Sequence, residues 1–124
     1  MRIRGTAVIL RDGKVLLVRD RNKKSFSLPG GKREHNETSF GAAVREVYEE
    51  LGMVSIKAER VFECDYKGRY SIHHVTVIKT NDFPVIKDGE LEAFLWWNLK
   101  DNIPKYAHVD YIMKKFMEVS KEKS

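Results

Sequence analysis

A chain of 124 residues is long enough for one domain with a real core and too short for two, so a single domain over residues 1–124 is expected. Its 42% hydrophobic and 10% aromatic content excludes a disordered tail, and the opening MRIRGTAVILRDG holds too short an apolar run for a signal peptide or membrane span. A cytoplasmic protein without a membrane partner is therefore the expectation. The 23 basic residues outnumber the 18 acidic ones for a net charge of +5, a field that suits a polyphosphate substrate, weak attraction to RNA, or simple solubility.

Residues 3–10 read as a strand, 11–14 as a turn centred on Asp12-Gly13, and 15–19 as the returning strand of a hairpin. The basic run 19–24 is a polar loop that offers Arg19 or Lys24 to a phosphate, since it precedes the turn Leu28-Pro29-Gly30-Gly31. In that turn a fixed φ is followed by two permissive residues, which lets backbone groups approach a ligand closely. Thr38 is placed to cap a helix running to Leu51, and Gly52 to stop it in a left-handed conformation.

Within that helix Phe40, Ala43, Val44, Val47 and Leu51 recur at the spacing of a buried stripe. At 100° per residue Glu46, Glu49 and Glu50 fall within an arc of roughly 100° on the opposite side, which predicts three acids on one exposed face. Like charges at that spacing repel and invite a neutralising cation. With oxygen ligands only, and no Cys or His at ligand spacing, Mg²⁺ or Mn²⁺ is favoured over Zn²⁺.

Further along, residues 54–66 and 70–79 read as a second long hairpin broken by Lys67-Gly68-Arg69, and 80–89 as a loop. A short apolar strand at 93–97 precedes an amphipathic helix at about 107–120, in which Val109, Ile112, Met113 and Phe116 form the apolar stripe; the tail 121–124 is expected to fray. Cys64, the only cysteine, excludes an internal disulfide and reads as a small buried apolar group. His73 and His74 alternate faces of a strand and cannot form a two-histidine metal site together. Trp96 and Trp97 likewise alternate, so one belongs to the main core while the other packs elsewhere or stacks on a base. The order of elements predicts an α/β protein with a mixed sheet between helices.

Gly31, five residues, Glu37, seven residues, then Arg45-Glu46-Val47-Tyr48-Glu49-Glu50-Leu51-Gly52-Met53 matches the Nudix box at every defining position. The chain thus resembles the Nudix hydrolases, which cleave a nucleoside diphosphate linked to another group, and the resemblance implies their α/β/α sandwich. It implies a loop-helix-loop metal site in which Glu46, Glu49 and Glu50 ligate ions, a backbone carbonyl at Gly30 or Gly31 completes the shell, and Arg45 and Glu37 form a supporting pair. Gly31 and Gly52 support the motif, and Glu49, Glu50 and Arg45 are the catalytic candidates.

The acids Asp88, Glu90 and Glu92 occupy a region where family members draw a further metal ligand or general base, and Glu90 is favoured. Arg19, Lys32 and Tyr70 are the candidates for holding substrate. No proline lies between Met53 and Phe83, so the proline associated with ADP-ribose-preferring members is missing. The resulting expectation is hydrolysis of a nucleoside triphosphate or a modified, oxidised nucleotide. Alternatives are dinucleoside polyphosphates, RNA 5′ ends, and a sensor that binds without cleaving. A small nucleotide is the expected partner, and a homodimer is compatible with the sequence.

Overall fold

The computed structural model describes residues 1–87 and 89–123, with side chains described as far as Lys121. Asp88, one of the three acids considered above, lies outside the described residues, as does the end of the tail expected to fray. The elements in order are β1 (Arg2–Val8), β2 (Leu10–Arg11), β3 (Lys14–Asp20), β4 (Gly30–Lys32) and α1 (Ser39–Leu51). They continue with β5 (Lys57–Arg60), a 3₁₀ turn (Phe62–Cys64), β6 (Tyr66–Lys67), β7 (Ser71–Lys79), β8 (Leu91–Trp97) and α2 (Ala107–Lys123).

Residues 5–9 and 15–18 are buried without alternation, as strands must be when both faces of their sheet are covered. One sheet is mixed, with order β4-β1-β7-β5 and β6 also paired to β7; the other is antiparallel, with order β2-β3-β8. β1 and β7 run parallel, from Arg2 opposite Ser71 to Val8 opposite Val77, and α1 lies on the crossover between them. The expected first hairpin is therefore shorter than the sequence suggested. Only Leu10 with Val15 and Arg11 with Lys14 pair across the turn, where Asp12 and Gly13 both have positive φ, while β1 has left for the other sheet. A strand buried on both faces needs neighbours on both edges, and β4 and β7 supply them. The second hairpin is also interrupted, because the 3₁₀ turn sinks Cys64 into the core and splits the strand opposite β7 into β5 and β6.

Two apolar layers flank the sheets. On one side Ala7, Ile9, Leu16 and Val18 meet Ala43, Val47 and Leu51 of α1; on the other Val8, Val15 and Leu17 meet Val109, Ile112 and Met113 of α2. This is the expected α/β/α sandwich. Trp97 belongs to the α2 layer, whereas Trp96 packs against the α1 layer beneath the Arg11 guanidinium, 5.1 Å from its ring centre. Packing uses both tryptophans.

Thr38 Oγ1 accepts from the Gly41 N–H at 2.9 Å, and Gly52 closes α1 with φ of 67°. The 80–87 loop completes that end, for the Val85 and Lys87 N–H groups donate to the carbonyls of Leu51 and Glu50. The buried stripe differs from the expected one. It comprises Ser39, Ala42, Ala43, Val47, Glu50 and Leu51, while Phe40 is 38% exposed and Val44 only half-buried. Small residues face the sheet because β1 runs very close to the helix: a Cβ on Gly5 would stand 2.3 Å from the Ser39 carbonyl oxygen and 2.5 Å from the Ala43 nitrogen. Contact with backbone leaves no side chain to move aside, so Gly5→Ala should destabilise the fold by at least about 1–3 kcal/mol. Chemical denaturation checks this, and an unchanged midpoint would contradict the close approach.

Candidate metal and active site

One guanidinium joins the motif loop to α1. Arg45 Nε and Nη2 donate to the two carboxylate oxygens of Glu37 at 2.8 and 3.0 Å, and Nη1 donates to Glu46 at 2.8 Å and Glu49 at 3.1 Å. Nη2 also reaches the Lys32 carbonyl at 3.2 Å. Hydrogen bonds from Arg45 and from the Glu34 N–H hold the Glu37 carboxyl below the usual carboxylate range, and the Arg45 guanidinium is correspondingly harder to deprotonate.

The three motif acids do not share one exposed face, contrary to the helical-wheel expectation. Glu50 is 5% exposed and the Glu46 side chain 19%, but the Glu49 side chain is 53% exposed and turned to Arg45. The rotation of α1 that presses its small residues on Gly5 also turns Glu50 inward. Glu46 and Glu50 line a cleft with Glu90, Lys32 and the backbone of Gly30 and Gly31. Gly31 makes room for an acid, because a Cβ there would stand 2.5 Å from the Glu46 carboxyl carbon. Gly30, at φ of 142°, packs so tightly that a Cβ would overlap the Gly5 carbonyl.

Among the described residues no three acidic, His or Cys groups already form an ion cage. The acids are nonetheless of one chemical kind: the carboxylates of Asp20, Glu46, Glu50 and Glu90 line this cleft beside Arg2, Arg4 and Lys32, with no His or Cys among them, and such oxygen donors fit a hard divalent cation. Glu90 sits in the turn before β8, and Glu92 lies within that strand. Glu92 pairs with Arg19 at 3.1 Å and lies outside the cleft lining.

Of the three substrate candidates only Lys32 lines this cleft. Arg19 is turned to Glu92 and the Lys23 carbonyl, with its guanidinium over Phe26, and so braces the loop after β3. Tyr70, 77% exposed, stands at the rim of a second cavity of about 400 Å³. Tyr66, His73, Tyr106 and His108 form the wall of that cavity. Arg4, Asp20 and Ser27 line both cavities, which therefore adjoin.

The two buried histidines of the wall are neutral. Their rings stack at 4.1 Å; His73 Nδ1 is hydrogen-bonded with Thr6 Oγ1 at 2.9 Å, and His108 Nε2 accepts from the Leu28 N–H at 3.3 Å. Burial pushes His73 down to about 4 and His108 to about 2, helped by the charge of Arg4. His74 is on the other face, as expected from alternation, where it is hydrogen-bonded with Ser39 of α1.

Sequence reasoning missed Arg4, Asp20 and His108. Burial pulls the Arg4 guanidinium down from its ordinary value against the attraction of Glu50, Asp20 and Glu46. Its signal was available only through register: Arg4 stands between Lys32 of β4 and His73 of β7, a row visible once β1 is known to be central.

The family model described as the NUDIX domain matches residues 1–118. The chain belongs to the Nudix family. A Bacillus subtilis protein provisionally named 8-oxo-dGTP diphosphatase YtkD is 30% identical over 117 residues, 86% of this chain and 70% of that protein. The mouse diphosphoinositol polyphosphate phosphohydrolase 3-alpha is 31% identical over 84% of this chain and 70% of its own length. Among solved structures, the MutT NUDIX hydrolase of Burkholderia pseudomallei superposes with a TM-score of 0.79 at 25% identity, covering 92% of this chain and 96% of that one. This Nudix protein is accordingly a hydrolase of diphosphate linkages, and its family works with divalent metal ions.

In this Nudix hydrolase the buried histidine pair sets an acid limit on stability. Both imidazoles have folded-state values below the ordinary 6.5, so below about pH 6.5 the unfolded chain takes up protons that the folded one refuses. Stability should fall as pH drops from about 6.5 towards 4 for His73, and further for His108, by at most about 1.4 kcal/mol per pH unit for each ring. His73→Gln should flatten that slope. Equal urea midpoints for the wild type at about pH 7 and pH 5 would show that the rings are not buried in the neutral form.

Proposed function

We propose that this protein hydrolyses the diphosphate linkage of a nucleoside triphosphate or of an oxidised or otherwise modified nucleotide, with dinucleoside polyphosphates as the second class of substrate. It would act as a cytoplasmic single-domain enzyme on a free small molecule. The observation that carries this reading is that an acid cleft and an aromatic cavity adjoin, with Arg4, Asp20 and Ser27 in the lining of both. Tyrosines and two uncharged imidazoles suit a planar base, and they suit a ring bearing many phosphates poorly. That contrast favours a nucleotide over a diphosphoinositol polyphosphate.

Glu46, Glu50, Glu90 and the Gly30 carbonyl would hold the cation, Mg²⁺ or Mn²⁺, and Glu49, paired with Arg45 outside the cleft lining, would join them on turning inward. When bound, such an ion polarises the phosphate and lowers the pKa of a coordinated water. Arg45 fixes the direction of the Glu46 and Glu49 carboxylates against the Glu37 loop. Lys32 adds positive charge where the phosphates must lie. Glu50 is too deeply buried to exchange protons readily with solvent, so general-base work falls to the more exposed Glu49 or Glu90.

Glu50→Gln should leave the protein folded, its stability set by two opposed effects, relief of the repulsion from Glu46 and loss of the charge that attracts the buried Arg4 guanidinium. Its Mg²⁺ affinity should fall and its turnover drop by a factor of roughly a hundred or more. Turnover within a few-fold of wild type at saturating Mg²⁺ would sink the metal-site reading.

For the substrate, a metal-supplemented panel of nucleoside triphosphates, oxidised nucleotides, dinucleoside polyphosphates, ADP-ribose, nucleotide sugars and diphosphoinositol polyphosphates decides. The triphosphate class should give the highest kcat/KM. If ADP-ribose or a diphosphoinositol compound were turned over far faster, the substrate assignment would be wrong. Tighter, salt-dependent binding of a 5′-triphosphate RNA than of any mononucleotide would point to RNA ends instead.

A further inference from the structure

Arg4 is an anomaly in an otherwise well-satisfied interior. Its Nε is buried without a hydrogen-bond partner; among the described residues the other such side-chain atom is Thr76 Oγ1, which lines neither of the two adjoining cavities. A guanidinium presents five N–H donors in a rigid planar fork, and a buried donor left unmade is costly. Glu50, Asp20 and Glu46 attract the Arg4 charge, yet they leave Nε unsatisfied.

The position is as informative as the missing bond. Arg4 lies abreast of Lys32 on β4 and of His73 on β7, so the three side chains share one face of the sheet. Lys32 lines the acid cleft, His73 lines the aromatic cavity, and Arg4 lines both. The row therefore passes from a cation beside the carboxylates, through a fixed guanidinium, to a neutral ring. Arg4 meets any ligand that spans the two cavities at the point where its charged part gives way to its planar part.

We propose that Arg4 binds phosphate at the junction of the two cavities, its guanidinium donating N–H groups to non-bridging oxygens and so setting which way round the substrate lies. The proposal rests on the nucleotide reading above and deepens it. An arginine is suited to this task where lysine is not, because two parallel donors fix the rotation of a phosphate as well as its position. The competing role is that of a counter-ion, with Arg4 doing no more than neutralising Glu46, Glu50 and Asp20. The two roles predict opposite consequences for cation and anion binding.

The test uses the full chain and Arg4→Met and Arg4→Lys variants, with inorganic tripolyphosphate and Mn²⁺ as separate calorimetric probes. If Arg4 binds phosphate, Arg4→Met should weaken tripolyphosphate binding by roughly tenfold or more, while Mn²⁺ binding stays the same or tightens as a neighbouring positive charge is lost. Arg4→Lys, which keeps the charge but loses the fork, should fall between and raise KM more than it lowers kcat. Loss of both tripolyphosphate and Mn²⁺ binding in Arg4→Met, with Arg4→Lys fully rescuing both, would assign Arg4 a structural charge alone and overturn the proposal. Unchanged tripolyphosphate binding in Arg4→Met would also overturn it, leaving the enzyme reading intact. A wild-type protein that binds Mn²⁺ but no tripolyphosphate would bring down the proposal and the nucleotide reading together.

Discussion

The bonds made by Arg45 are the constraint on which the site depends. Three carboxylates at positions 46, 49 and 50 of one helix repel each other, and without a partner they would favour splayed side chains or a frayed turn. Arg45 answers two of them and spends its remaining donors on Glu37 and the Lys32 carbonyl, so the same group that relieves the helix also fastens the loop that faces it. Glu50 is left to the interior. The outcome is a helix whose acids have different surroundings, one buried, one half-held and one near solvent, although the chain writes them almost side by side.

Close backbone contact is the second constraint, and it explains why the motif glycines stand where they do. Gly5 lets α1 settle on β1, Gly30 lets β4 settle on β1, and Gly31 leaves the volume that the Glu46 carboxyl occupies. Of the three, Gly31 alone belongs to the recognisable motif; Gly30 directly precedes it, and Gly5 lies far upstream. It nevertheless fixes the rotation of α1 about its axis, because Ser39, Ala42 and Ala43 must face it. That rotation, set by packing against a strand more than thirty residues away in sequence, is what carries Glu50 into the cleft.

This accounts for what could and could not be read from the residues. Thr38 and Gly52 declared the ends of α1 because capping is local chemistry, and the turn at Asp12-Gly13 was legible for the same reason. The order of elements and the layered architecture followed from periodicity. Misreadings arose wherever tertiary contact decides. The helical wheel placed Phe40 inside and Glu50 outside, since it cannot know that a glycine strand prefers small residues against it. The hairpin from residue 3 to residue 19 was drawn across a point where the chain changes sheets, because an unbroken apolar run carries no sign of which strand will be its neighbour. Arg19 looked like a phosphate ligand from its place before the Pro29 turn, but Glu92, far along the chain, had already claimed it.

The two adjoining cavities also divide their electrostatic tasks in a way that one strand makes possible. β1 carries Arg4 and Thr6 on the same face, two residues apart; Arg4 reaches the acids while Thr6 holds His73 by its Nδ1. Burial, helped by the charge of Arg4, keeps His73 and His108 unprotonated, so the aromatic wall stays neutral beside a strongly charged cleft. On the nucleotide reading proposed above, a protonated wall would attract phosphates into the cavity assigned to the base and allow a substrate to bind backwards. Keeping the imidazoles buried and neutral removes that competing pose, and acid pH should erode fold stability and binding direction by the same event, the protonation of His73.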